Sequence, residues 1–162
     1  MSDVTISDVK HAALEILSRR DHAVNEIKAK LLKKFDVPFA DRDNYIDQVL
    51  EELKQLNYLN DQRFAHLYCS YRSKKGFGPN RITQELHQKL SSIDNAQSVI
   101  SIALMGPDAP DWYALAHTTY LKKFKIPPQS IKDQQKRKQF LYYRGFNQEE
   151  IDYALGCIRD ID

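Results

Sequence analysis

Residues Tyr58 to Leu86 read YLNDQRFAHLYCSYRSKKGFGPNRITQEL, and this stretch decides the fold. Phe64, Leu67, Tyr68 and Tyr71 recur at helical spacing and form one apolar stripe. Arg72, Lys74 and Lys75 follow in the last turn, where cations complement the negative end of a helix dipole. Gly76 suits the left-handed residue that stops a helix. Gly78 and Pro79 open a second helix, because a proline at the first helical position loses no needed donor and has φ already set. Ile82 and Leu86 supply that helix's buried face. Arg72, Lys74, Lys75 and Arg81 therefore converge around one tight turn. Arg81 also precedes Glu85 by four residues, the spacing of a surface ion pair.

Outward from this turn the same pattern repeats. Val9, Ala12, Ala13, Ile16 and Leu17 make one apolar stripe; Val24, Ile27, Leu31 and Phe35 a second; Ile46, Val49, Leu50, Leu53 and Leu56 a third. Helices are expected again over Ala96 to Leu104, Trp112 to Phe124, Lys136 to Tyr143 and Ile151 to Ile158, and strand-like alternation is absent. Asp61 and Asp111 each stand just ahead of an aromatic that opens a helix, which sets a period of about fifty residues. The fold class is all-α: three tandem three-helix repeats, 1–59, 60–107 and 108–162, in an elongated, curved nine-helix array. Asn147 with Glu150 has capping-box spacing, Phe146 with Ile151 can staple it, and Asp94 with Gln97 offers a second box. The segment Ile126 to Ser130, with two prolines, is a bend, and Asp36 to Asp43, with Pro38, is a loop.

The 162 residues are 42% hydrophobic, and no apolar run approaches the ~20 residues a membrane span needs, so a soluble protein is expected; the opening residues lack a secretory pattern, so the expected location is the cytoplasm, and the expected state is a monomer. Cys69 and Cys157 lack C-x-x-C spacing and read as buried free thiols. The net charge of +2 conceals segregation along the chain. Residues 62–90 hold six Lys/Arg against one acid, net +5, and residues 112–146 hold eight against one, net +7. Residues 36–61 hold seven acids against two bases, net −5, and residues 147–162 five against one, net −4. Such blocks create local fields that steer a polyanion or an acidic protein surface.

Catalytic chemistry has no constellation here. The histidines at 11, 22, 66, 87 and 117 are scattered without paired-ligand spacing, so no metal is expected. Gly76-Phe77-Gly78 lacks the third glycine and the Lys-Ser/Thr of a phosphate-cradling loop, so no nucleotide cofactor is expected either. Glu51 with Glu52 and Glu149 with Glu150 lack the apolar pocket that raises a catalytic pKa. Binding is the favoured class: Tyr68, Tyr71, Phe77, Tyr142 and Tyr143 are interleaved with Arg72, Lys74, Lys75, Arg81, Lys138 and Arg144. Tyr68 and Tyr71 are assigned first to the helix's buried stripe.

The motifs of three segments together resemble the RecX family of bacterial recombinase regulators. The central one is Tyr58-Leu59-Asn60-Asp61 with Phe64-Ala65, then Arg72 through Lys75-Gly76-x-Gly78-Pro79-x-Arg81-Ile82 to Glu85-Leu86. Leu17-Ser18-Arg19-Arg20 leading to Glu26-Ile27 and Lys30-Leu31 is similar to the N-terminal motif, and Phe140-Leu141-x-x-Arg144-Gly145-Phe146 to the C-terminal one. The resemblance implies a three-repeat, nine-helix protein without enzymatic activity. It would bind the RecA recombinase filament on single-stranded DNA, and possible contacts extend to double-stranded DNA. It would thereby inhibit RecA ATP hydrolysis, filament growth and strand exchange in DNA repair, homologous recombination and the SOS response. The expected contact residues are Arg72, Lys74, Lys75 and Arg81 of the second repeat and Lys136, Arg137, Lys138 and Arg144 of the third. The alternative is a sequence-tolerant DNA-binding protein or a helix-turn-helix transcription regulator. One departure concerns Ala23, where the family often has Ser or Thr, so the N-cap contact is lost unless Asp21 or His22 substitutes.

Overall fold

The computed structural model describes residues 3–36, 41–91 and 93–156, which contain nine helices and no strand. They are α1 (Ile6–Leu17), α2 (Val24–Lys34), α3 (Arg42–Gln55), α4 (Asp61–Lys74), α5 (Pro79–Lys89), α6 (Ala96–Met105), α7 (Trp112–Lys123), α8 (Ile131–Arg144) and α9 (Gln148–Gly156). The expectations for Pro38, Cys157 and Ile158 lie outside the described residues. Every extensive helix–helix contact falls within one trio, with α1 on α3, α4 on α6 and α7 on α9 the most intimate.

Each trio closes over its own core. Ile27, Leu31, Ile46 and Leu53 are fully buried in the first, Ile82, Leu86 and Leu90 in the second, and Tyr120, Leu141 and Phe146 in the third. These cores are stitched by single residues. Ala23, at the start of α2, is buried in the second core, and Trp112, at the start of α7, packs against that core while its Nε1–H donates to the Leu104 carbonyl at 2.9 Å. A Ser or Thr at 23 would bring a hydroxyl into that apolar contact. The Val24 N–H donates instead to Asp61 Oδ1 at 3.2 Å, and the Ala23 N–H to Glu26 Oε1 at 3.2 Å. The side-chain cap at position 23 is lost as expected, and neither Asp21 nor His22 replaces it: the Val24 N–H is met from α4, and Asp21 accepts from Arg63 Nη2 at 3.1 Å.

Local signals place the ends. Gly76, at φ +88°, follows α4; its N–H bonds the Ser73 carbonyl at 2.9 Å and the Phe77 N–H bonds Arg72 at 3.2 Å, the paired bonds of a Schellman stop. Asn147 and Glu150 exchange both capping-box bonds at 2.9 Å, with Phe146 and Ile151 buried beneath. Two expectations are corrected. The α6 N-cap is Asn95, with no side-chain bond, in place of an Asp94–Gln97 box. Helix α8 begins at Ile131, five residues ahead of Lys136, because Ser130 accepts from the Asp133 N–H at 3.0 Å.

Candidate functional site

The turn between α4 and α5 is held by one carboxylate and one aromatic ring. Glu85 accepts from Arg72 Nη2 at 2.8 Å, Arg72 Nε at 3.0 Å, Tyr68 Oη at 2.6 Å and Arg81 Nε at 3.4 Å. Burial alone would raise the Glu85 pKa, but the Arg72 and Tyr68 bonds outweigh it and hold the carboxyl below its ordinary range. Burial and the Glu85 bond push the Tyr68 hydroxyl up to about 12, so it stays a donor. The guanidinium groups of Arg72, Arg81 and Arg144 lie 3.9, 4.5 and 5.0 Å from the Phe77 ring centroid. Arg72 and Arg81 therefore do meet at this turn, and both are engaged there, whereas Lys74 and Lys75 are exposed.

This turn docks on the end of α8. The Gly78 N–H donates to the Arg144 carbonyl at 2.8 Å and the Asn80 N–H to the Gly145 carbonyl at 2.9 Å. The unsatisfied donors at the start of α5 thus meet the unsatisfied acceptors at the end of α8, positive dipole end against negative. Both glycines are required by proximity: a Cβ on Gly78 would lie 2.5 Å from the Gly145 carbonyl carbon, and one on Gly145 would lie 2.5 Å from Arg81 Cβ.

Most of the recognised motif is architecture. Leu59, Phe64, Ile82, Leu86 and Phe146 are core residues, Asp61 caps α2, Pro79 opens α5, and Glu85 organises the turn; Tyr58 is exposed. Two sequence expectations fail. Leu67 and Tyr71 are 53% and 56% exposed, because α4 buries the face carrying Phe64, Ala65, Cys69 and Ser73. Arg137 is only 4% exposed and donates to Tyr120 Oη at 2.8 Å, the Ile126 carbonyl at 2.7 Å and Asp133 Oδ2 at 3.0 Å. It bolts the Pro127–Pro128 bend to α8 and is withdrawn from the contact set. Of its neighbours, Lys136 is exposed and Lys138 lies 3.6 Å from Asp152. Tyr142 and Tyr143, each 65% exposed, border an open cleft with Asn80, Arg81, Gln84 and Gln88.

Sequence reasoning missed Lys122 and Lys123. They end α7 as Lys74 and Lys75 end α4, and with Arg144 these lysines line a second cleft of about 210 Å³. The signal was the repeat itself, the first helix of both the second and the third unit ending in paired lysines. No group of three metal-ligating side chains occurs among the described residues, and none of their helices is long and apolar enough to cross a membrane. Burial pushes the Cys69 thiol up to about 11, which leaves it unreactive.

Comparison with known proteins bears on the same elements. Residues 60–89 match the family description "RecX, second three-helix domain" and residues 110–155 match "RecX, third three-helix domain". "Regulatory protein RecX" of Vibrio parahaemolyticus is 41% identical, over 91% of this chain and 89% of that protein. The chain belongs to the RecX family. "Regulatory protein RecX" of Yersinia enterocolitica is 34% identical over 90% of this RecX-family chain and 95% of its own length. The crystal structure of RecX from Lactobacillus salivarius superposes with a TM-score of 0.73 at 24% identity, covering 97% of each chain. That last likeness concerns the fold, a tandem all-α array. The relatives' shared name is that of a regulator and not of an enzyme.

Proposed function

We propose that this protein binds the RecA recombinase filament on single-stranded DNA and inhibits its ATP hydrolysis, growth and strand exchange. It acts as a monomer in the cytoplasm, with DNA among its contacts and with units bounded as 1–59, 60–107 and 108–162. Family membership supplies the partner. The observation on this chain that carries the reading is a set of exposed cations without internal ion pairs among the described residues, Lys74, Lys75 and Lys136, together with exposed Tyr142 and Tyr143 on the helix that carries Lys136. A surface of this composition meets phosphates and carboxylates through its lysines and flat groups through its tyrosines.

The test is steady-state ATP hydrolysis by RecA on single-stranded DNA, with this protein titrated from far below the RecA concentration. Substoichiometric inhibition is expected. Lys74→Glu with Lys75→Glu should raise the half-inhibitory concentration at least tenfold while circular dichroism stays unchanged. Arg72 is excluded from that variant because reversing it would strand Glu85. Absence of inhibition, together with retained salt-sensitive DNA binding, would overturn the filament reading in favour of direct DNA binding.

A further inference from the structure

We propose that the cleft where α4, α7 and α8 end is an anion site for two or more linked phosphates. Five cations line it: Lys74 and Lys75 from the end of α4, Lys122 and Lys123 from the end of α7, and Arg144 from the end of α8. Thr118 and Thr119 add hydroxyl groups, and no carboxylate lines the cleft. None of the five cations is ion-paired with a described carboxylate, although ion pairs engage Arg72, Arg81, Arg137 and Lys138 nearby.

The plain explanation is that cations complement helix C-termini, and magnitude decides against it. Three C-termini contribute about −0.5 charge each, roughly −1.5 together. Five cations leave about +3.5 in one concavity, which the fold offsets only in part through the Tyr71, Phe77 and Phe140 rings beside Lys75, Lys123 and Arg144. A linked phosphate carries about −1 and a terminal one up to about −2, so about three linked phosphates come close to balance.

The cleft's dimensions agree with that class. Its volume of about 210 Å³ leaves room for a short run of linked phosphates. Arg144 is braced on two rings, 5.0 Å from Phe77 and 5.2 Å from Phe140, and makes one hydrogen bond, to the Lys75 carbonyl at 3.4 Å. A guanidinium has five N–H donors, so most of its capacity is available to an oxyanion. Gly76 keeps the floor open: a Cβ there would lie 3.3 Å from Thr119 Cγ2 and 3.7 Å from Arg144 Nη1.

Linked phosphates come from a free polyphosphate or from a nucleic-acid backbone, and the test separates the two. It needs no RecA, so it stands or falls apart from the proposed filament regulation. The full chain is titrated by calorimetry with sodium tripolyphosphate and, separately, with a 12-nucleotide oligothymidylate. Three proteins are compared: the unaltered chain, K122E/K123E, and R19E/K33E, which makes the same charge change in the first unit. One-to-one tripolyphosphate binding is expected, weakened at least tenfold in K122E/K123E and less than threefold in R19E/K33E. K122Q/K123Q serves if the reversal perturbs the circular dichroism, with the same direction expected. Oligothymidylate that is displaced by tripolyphosphate and lost in the same variant identifies a nucleic-acid backbone as the source. Oligothymidylate binding that ignores Lys122 and Lys123, while tripolyphosphate binding depends on them, identifies a free polyphosphate. Non-saturating tripolyphosphate binding, or an equal loss in R19E/K33E, would overturn the site.

Discussion

Replacing Gly145 by alanine tests the joint between the second and third units at its tightest point. Gly145 has φ +104°, and a Cβ there would meet Arg81 Cβ at 2.5 Å and the Arg81 backbone nitrogen at 2.7 Å. Left-handed backbone costs an L-residue about 1–2 kcal/mol. Relieving the clash pulls the end of α8 from the start of α5 and sacrifices the Gly78–Arg144 and Asn80–Gly145 backbone bonds, worth about 1 kcal/mol each. The expected loss is about 3–4 kcal/mol. In a chain of this size that corresponds to a fall in Tm of roughly 10 °C. Urea unfolding followed by the fluorescence of Trp112 reads it directly, because that indole bridges the second core and α7. Gly156, with no atom of the described residues within 4 Å of its Cβ position, is the control, and its alanine variant should change stability by less than about 1 kcal/mol. A Gly145→Ala loss below about 1 kcal/mol, or an equal loss for Gly156→Ala, would refute the argument.

Glu85→Gln should cost about 1–2 kcal/mol near neutral pH, since it weakens the charged bonds to Arg72. The Glu85 pKa is lowered in the fold, so its contribution is complete above the ordinary 4.5 and fades as pH falls through the lowered folded value; urea midpoints of variant and parent should converge there. Arg137→Ala should lose about 3 kcal/mol by unpairing Asp133 and freeing the bend, and a thermal melt unchanged from the parent would contradict its structural role. Asp61→Ala should cost about 1 kcal/mol as a lost helix cap, whereas Asp61→Asn keeps an acceptor. Burial raises the Asp61 pKa, so its ionised form opposes folding, and the Asn variant should equal or exceed the parent at neutral pH in the same urea assay.

The helices and their ends were legible because their causes are local. Gly76, Pro79 and the Asn147–Glu150 box act within a few residues of themselves, and each takes its expected place in the chain. Exposure of Leu67 and Tyr71 was not legible, since apolar residues occur on more than one face of α4 and only tertiary packing selects which is covered. Arg137 looked like its lysine neighbours in a basic run; its burial depends on carbonyls at Ile126 and Pro127 and on Tyr120, eleven, ten and seventeen residues away. The five-cation cleft was hidden for the same reason. Three separate helix ends supply it, and one sequence shows each pair of lysines only as an ordinary helix terminus.

The cap on α2 also carries a consequence for synthesis. The acceptor for the Val24 N–H is Asp61, 37 residues further along the chain. A ribosome adding about 5–20 residues per second needs roughly 2–7 s to cover that distance. For most of that interval α2 has its whole sequence but lacks the carboxylate that closes its first turn, and Ala23 has no second core to enter. The nascent first unit therefore gains its final helix start only as the next unit emerges, which ties the order of translation to the order of assembly.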